Sequence, residues 1–121
     1  MATELGKTLR KIRIDEDERL LDMAKRLGKS AAFLSAVEVG KKSPPSNFEE
    51  LIIAAYKLRD TAAEGLRIAA DRSRQAFTIS PRSEIGRDTA GLLARKMDTL
   101  SDDELIEIKN LLSRSGKDAR D

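Results

Sequence analysis

Apolar residues return every three or four positions along most of the chain, a spacing that predicts helices almost throughout. Leu5, Leu9 and Ile12 recur at i, i+4 and i+7, which places an amphipathic helix over 3–14 with Lys7, Arg10, Lys11 and Arg13 on its outer face. The acidic run Asp15-Glu16-Asp17-Glu18 interrupts the pattern and reads as a solvated connection. A short helix over 19–27 follows, with Leu20, Met23, Ala24 and Leu27 on one side, and Gly28 stops it because glycine tolerates positive φ. Ser30 is the expected N-cap of a helix over 31–39, and Gly40 ends that helix ahead of a loop, Lys41-Lys42-Ser43-Pro44-Pro45, that the prolines keep from being helical.

Ser46 and Glu49 have capping-box spacing and open a helix over 47–58, after which Asp60 is the expected cap of another helix with Ala63, Leu66, Ala69 and Ala70 inward. The helical pattern lapses over 73–83, where Phe77-Thr78-Ile79 favours extended backbone and Pro81 blocks a continuous helix. Two further helices are expected. The first covers 84–97 with Ile85, Leu92, Leu93 and Met97 inward; the second, capped by Ser101 with Glu104, runs to about 114 on a stripe of Leu105, Ile108, Leu111 and Leu112. The division is therefore a first domain over 1–72, a linker over 73–83 with a short strand over 76–80 that can pair between subunits, a two-helix extension over 84–114 for dimerisation or partner binding, and a frayed tail over 115–121.

Composition narrows the chemistry. Of 121 residues 3% are aromatic, too few for a sheet core, and neither Cys nor His is present. Thiolate nucleophiles, disulfides and histidine bases are thereby excluded, and a metal site would need carboxylates alone. Ser30 and Ser35 have no His to activate them, and Gly86 and Gly91 are isolated glycines rather than a phosphate loop, so no enzymatic activity, cofactor or metal is expected. No apolar run is long enough to cross a membrane and the N-terminus has no signal-peptide core, so the expectation is a soluble, cytoplasmic protein. The net charge is only +2, yet five basic residues and one acid lie between Lys25 and Lys42. Such a local excess suits a polyanionic partner.

Two short helices joined through glycine can cross steeply only where the contact residue is small, and Ala24 has that place, with Leu27, Leu34 and Val37 filling the wedge. The run Met23-Ala24-x-x-Leu27-Gly28-x-Ser30, followed by Leu34-Ser35-x-Val37-Glu38-x-Gly40-Lys41, resembles the Xre/lambda-Cro-like helix-turn-helix family of bacterial and phage transcriptional regulators over residues 4–59. The resemblance implies an all-α protein whose first domain is a five-helix lambda-repressor-like helix-turn-helix, followed by the two-helix extension. It further implies double-stranded DNA as partner, read by a homodimer on a pseudo-palindromic operator, most often as a repressor.

The family's base-contacting positions match Ala31, Ala32, Phe33, Ser35 and Ala36, where relatives commonly carry Gln, Arg, Asn or Thr. Alanines touch a thymine methyl and Ser35 offers one hydrogen bond, short of the ~1–3 kcal/mol discrimination of a bidentate pair. Phosphate contacts are expected from Arg10, Arg19, Lys29, Ser30, Lys41, Lys42, Ser43 and Asn47. The family's usual Thr-Gln start to the second helix is Arg19-Leu20 here. Glu38 is expected to brace the following loop or a nearby arginine rather than touch DNA. The resemblance also permits a different class of function, a protein-interaction module (antitoxin, antirepressor or antiactivator) that binds a toxin, a protease or another regulator with weak or no DNA binding.

Overall fold

The structure is a computed structural model that describes residues 3–118, with side-chain environments through residue 115. Among the described residues it is all-helical: α1 (Glu4–Asp15), α2 (Leu20–Leu27), α3 (Ala31–Glu38), α4 (Phe48–Tyr56), α5 (Asp60–Arg72), α6 (Glu84–Lys96) and α7 (Asp102–Asp118). None of these helices is long and apolar enough to cross a membrane. The chain divides into two compact units, Met1–Thr78 and Ile79–Asp121.

In the first unit α1 packs on α3 and α5, α2 on α3 and α4, and α4 on α5. The shared core is Leu5 and Leu9 from α1, Met23, Ala24 and Leu27 from α2, Leu34 and Val37 from α3, Phe48, Ile52 and Tyr56 from α4, and Leu66, Ala69 and Ala70 from α5. Each large side chain removed from water here contributes on the order of 1.5–3 kcal/mol, the main term holding five short helices together. Gly6 lets α1 approach α3: a Cβ there would lie 2.2 Å from the Glu38 carbonyl oxygen. Beside it Thr3 caps α1, its Oγ1 accepting from Gly6 N at 3.0 Å while its own N–H and hydroxyl both donate to Glu38 O at 3.1 Å.

Four sequence expectations about this unit are corrected. Arg13 lies within the fold, not on an outer face: it is 9% exposed and forms a bidentate pair with Glu38 while donating to Met23 Sδ at 3.4 Å. The acidic run is not merely a solvated connection, because Glu18 is largely buried, accepting from Tyr56 OH at 2.6 Å and pairing with Arg26 at 2.6 Å. Arg26 in turn stacks 4.3 Å from the Tyr56 ring centroid. Burial and the Glu18 hydrogen bond raise the Tyr56 pKa, which keeps the phenol a donor. The Ser46–Glu49 capping box does not form: Asn47 caps α4 at φ 65° without a side-chain bond, because Glu49 is held by Arg74. Likewise α4 stops at Tyr56, two residues short of the expected end, where Lys57 enters the left-handed region at φ 53°.

The segment after α5 contains no strand among the described residues; residues 75–80 are irregular where a short strand was expected. The second unit is the pair α6 and α7. Ser83 caps α6 by accepting from Gly86 N at 3.0 Å, and Ser101 with Glu104 forms a reciprocal capping box at 3.1 and 2.9 Å. Expected inward residues are instead open. Ile85 is 71% exposed, Leu92, Met97, Leu111 and Leu112 are also exposed, and Leu93, Leu105 and Ile108 are half-buried. Two helices alone have too little facing surface to cover both stripes. α7 continues to Asp118 rather than ending near 114, and the rest of the tail expected to fray lies outside the described residues.

Candidate nucleic-acid interface

The site begins with a turn. Gly28 closes α2 at φ 69°, and its neighbour Lys29 donates its N–H to Ala24 O at 2.9 Å, so the chain reverses within two residues. Ser30 then starts α3, its Oγ accepting from Phe33 N at 3.0 Å. Leu34 and Val37 face inward against Met23, Ala24 and Leu27, all buried. The opposite side of α3 is thereby directed to solvent.

Of the five residues expected to meet bases, Ala32 and Ser35 are exposed, whereas Ala31, Phe33 and Ala36 are half-buried. Ala31 and Phe33 pack against the core, and the Phe33 ring meets Phe48 edge-on with centroids 5.9 Å apart. Charge lies over that ring: Lys29 Nζ is 5.8 Å and Lys42 Nζ 5.6 Å from the Phe33 centroid. Lys29, from the turn before α3, and Lys42, from the loop after it, are thus brought together over one aromatic ring. The loop turns back onto α3 through its backbone, with Lys41 N and Lys42 N both donating to Ala36 O at 2.9 and 3.1 Å.

Arg10, Arg19, Lys29, Ser30, Lys41, Lys42, Ser43 and Asn47 are all exposed. Among the described residues, none of the five cations in that set has an ion-pair partner, while Arg13, Arg26, Arg67, Arg72 and Arg74 each have one. The arginines are divided between those that brace the fold and those that leave their charge to solvent. Arg10 and Arg19 have no contact with the lysine pair, so the structure unites Lys29, Phe33 and Lys42 directly and the remainder only as parts of one unit.

Two bracing residues, Arg13 and Arg74, escaped the motif reading. Glu38, expected to brace a nearby arginine, is held by Arg13, which fixes the end of α3 against α1. Arg74, just beyond α5, is the second: it donates Nε to Pro44 O at 3.1 Å, holds Glu49 at 2.6 and 3.1 Å, and also reaches Pro45 O. With Pro44 buried, this pins the loop that carries Ser43 and leads to Asn47. Burial pushes the Glu49 carboxyl up, but the hydrogen bonds and positive charge of Arg74 outweigh it and hold the pKa below 4.5. A lone Arg after a helix end gives no sequence signal of this kind. Its partners in the loop and α4 are 25 to 30 positions away.

No family model, curated protein or solved structure matches this chain. What the surface can do is therefore argued from its own chemistry. Among the described residues no group of three or more carboxylates is placed to hold a metal ion. The arrangement offers two short contacts on a helix, Ser35 and Ala32, within a frame of exposed cationic side chains at the start of α3 and in the loop after it. Those are the components of anion binding.

Proposed function

We propose that the chain is a helix-turn-helix DNA-binding regulator of transcription, acting as a repressor and as a dimer on a pseudo-palindromic site. In this reading α2 and α3 are the two helices of the motif, and α3 lies in the major groove with Ala32 and Ser35 toward base edges. Lys29, Lys41, Lys42, Arg10 and Arg19 meet phosphates, with Ser30, Ser43 and Asn47 adding neutral contacts. The observation that carries the reading is the pair of lysines gathered over Phe33 at the exposed side of α3, without a carboxylate partner among the described residues.

Binding of this kind is led by the backbone and by duplex shape. Six phosphate contacts give a log–log salt slope of roughly −5. The test is selection of bound duplexes from a random pool at two salt concentrations, followed by titration of the winners. Enriched paired half-sites with a steep salt slope support the reading, and a slope near zero refutes it. The second reading, an interaction module for a toxin, a protease or another regulator, is favoured by one feature, the exposed apolar stripes of α6 and α7. A chain that shifts no duplex at low salt selects it.

A further inference from the structure

The α6–α7 hairpin carries an apolar face that its own unit leaves open. Ile85, Leu92, Leu111 and Leu112 are 71%, 51%, 51% and 63% exposed, and a groove of about 350 Å³ runs between the helices with Leu93 and Ile108 in its walls. Side chains of this type in contact with water mark an unfilled interface. The distribution of charge says what fills it. Residues 91–107, which contain the turn, carry two basic and five acidic side chains, whereas the open end, 79–90 with 108–115, carries four basic and two acidic. Two such hairpins attract when the turn of one lies beside the open end of the other, and repel when the turns coincide.

The same rule holds residue by residue on α7. Glu107 and Arg114 stand one heptad apart on one flank of the Ile108–Leu111–Leu112 stripe, and Asp102 and Lys109 are likewise spaced on the other. An antiparallel copy of α7 lays like flanks together and sets Glu107 opposite Arg114 twice over by symmetry, which a parallel copy, laying unlike flanks together, does not. We propose that the apolar face of the 79–115 hairpin is covered by the same face of a second copy of this chain, the turns at opposite ends, so that each copy's Glu107 faces the other's Arg114. The surface is complementary to itself, as a two-fold interface requires, and an unrelated partner would have no need of that pattern.

This pairing rests on the dimeric part of the function proposed above, but it is measured without DNA. Its failure would leave the first unit's phosphate contacts standing, and failure of DNA binding would leave the pairing standing. The experiment is sedimentation equilibrium of the full chain at up to tens of micromolar, with circular dichroism to follow helix content. The wild type sediments as a dimer, and Leu111→Asp weakens association ~100-fold by placing a charge in the apolar face. Glu107→Lys and Arg114→Glu, both at exposed positions, each weaken association about 10-fold, and an equimolar mixture of the two restores it as a heterodimer with both junctions attractive. These charge variants decide the matter even where Leu111→Asp loses helix. A wild type that stays monomeric, an undiminished Leu111→Asp dimer, or a mixture no tighter than its components would each overturn the proposal. A monomer would assign the face to a different protein.

Discussion

Arg13 and Glu38 join α1 to the end of α3 with side chains only 10% and 13% exposed, so their pairing is protected from water far more than a surface ion pair. Arg13→Met removes one partner while keeping most of the aliphatic volume, and leaves the Glu38 carboxylate without its counter-charge. Breaking a buried pair in this way costs about 3–5 kcal/mol, and the residual exposure of both groups places the expected loss near the lower figure. For a unit of this size ~3 kcal/mol corresponds to a fall in Tm of roughly 12–24 °C. Glu38→Gln should cost less, ~2 kcal/mol, because the amide oxygen still accepts one guanidinium hydrogen bond. Arg13→Met combined with Glu38→Leu removes both charges and should recover most of the loss. Urea unfolding of the wild type, Arg13→Met, Glu38→Leu and the double variant closes the cycle and gives the coupling energy directly. Single substitutions costing under ~1 kcal/mol, as exposed pairs do, or a double variant additive to within about 0.5 kcal/mol, would refute the structural reading of this pair.

Two glycines in helices should respond in opposite directions to alanine. Gly6→Ala forces a Cβ to within 2.2 Å of a backbone oxygen and should destabilise by ~1–3 kcal/mol, whereas Gly65→Ala meets nothing within 4 Å and should stabilise by about 0.5–1 kcal/mol, both read from denaturation midpoints. The Glu49 pKa lies below its ordinary value of 4.5, so its pairing with Arg74 adds stability that is full above 4.5 and drains away as pH falls through the lowered value; the stability gap between wild type and Glu49→Gln, followed by unfolding at successive pH values, should narrow below 4.5 and not above it. Under the proposed function, Lys41→Ala with Lys42→Ala should weaken binding about equally on all duplexes, and Ala32→Gln at an exposed helix position should change sequence preference without changing the unfolding midpoint. Gel shifts across a duplex panel check both.

The helices and the inward stripe of the first unit were legible in the sequence because each rests on local signals: Gly28 at a helix end, Ser30 at a start, and the spacing of Leu34 and Val37. What could not be read were the long-range partners of charged groups. Arg13 follows Leu5 and Leu9 at i+8 and i+4 and so shares their face, but a charge there does not name its partner, and Glu38 lies twenty-five positions away. Glu49 offered a local bond to Ser46 with good spacing, and Arg74 offered a charged bidentate partner instead; the charged pair is the stronger bond. In the second unit the stripes on α6 and α7 were legible as apolar, but periodicity names a face without saying whether anything covers it. Phe33 shows a related limit within α3. A helical position that points partly outward can still spend its ring on a neighbour, here Phe48.

The exposed side of α3 limits how the proposed regulator can discriminate. With Ala31, Phe33 and Ala36 half-buried, only Ala32 and Ser35 of the five expected reading positions stand clear of the fold. A methyl contact and a single hydroxyl hydrogen bond fall below the ~1–3 kcal/mol of one bidentate pair, while five cations without an ion-pair partner among the described residues attract any duplex alike. Selectivity must then come from features that one first unit does not contain: the stiffness of the duplex between half-sites, and their separation of about one turn, ~34 Å. Separation is fixed only if two first units are joined at a set distance, which gives the α6–α7 face a consequence for specificity although it touches no DNA. Leu111→Asp should therefore leave the salt slope per half-site unchanged and abolish the preference for one spacing over others. A spacing preference that survives loss of the dimer would place the discrimination in α3 itself, and would mean that Ala32 and Ser35 read more than their chemistry allows.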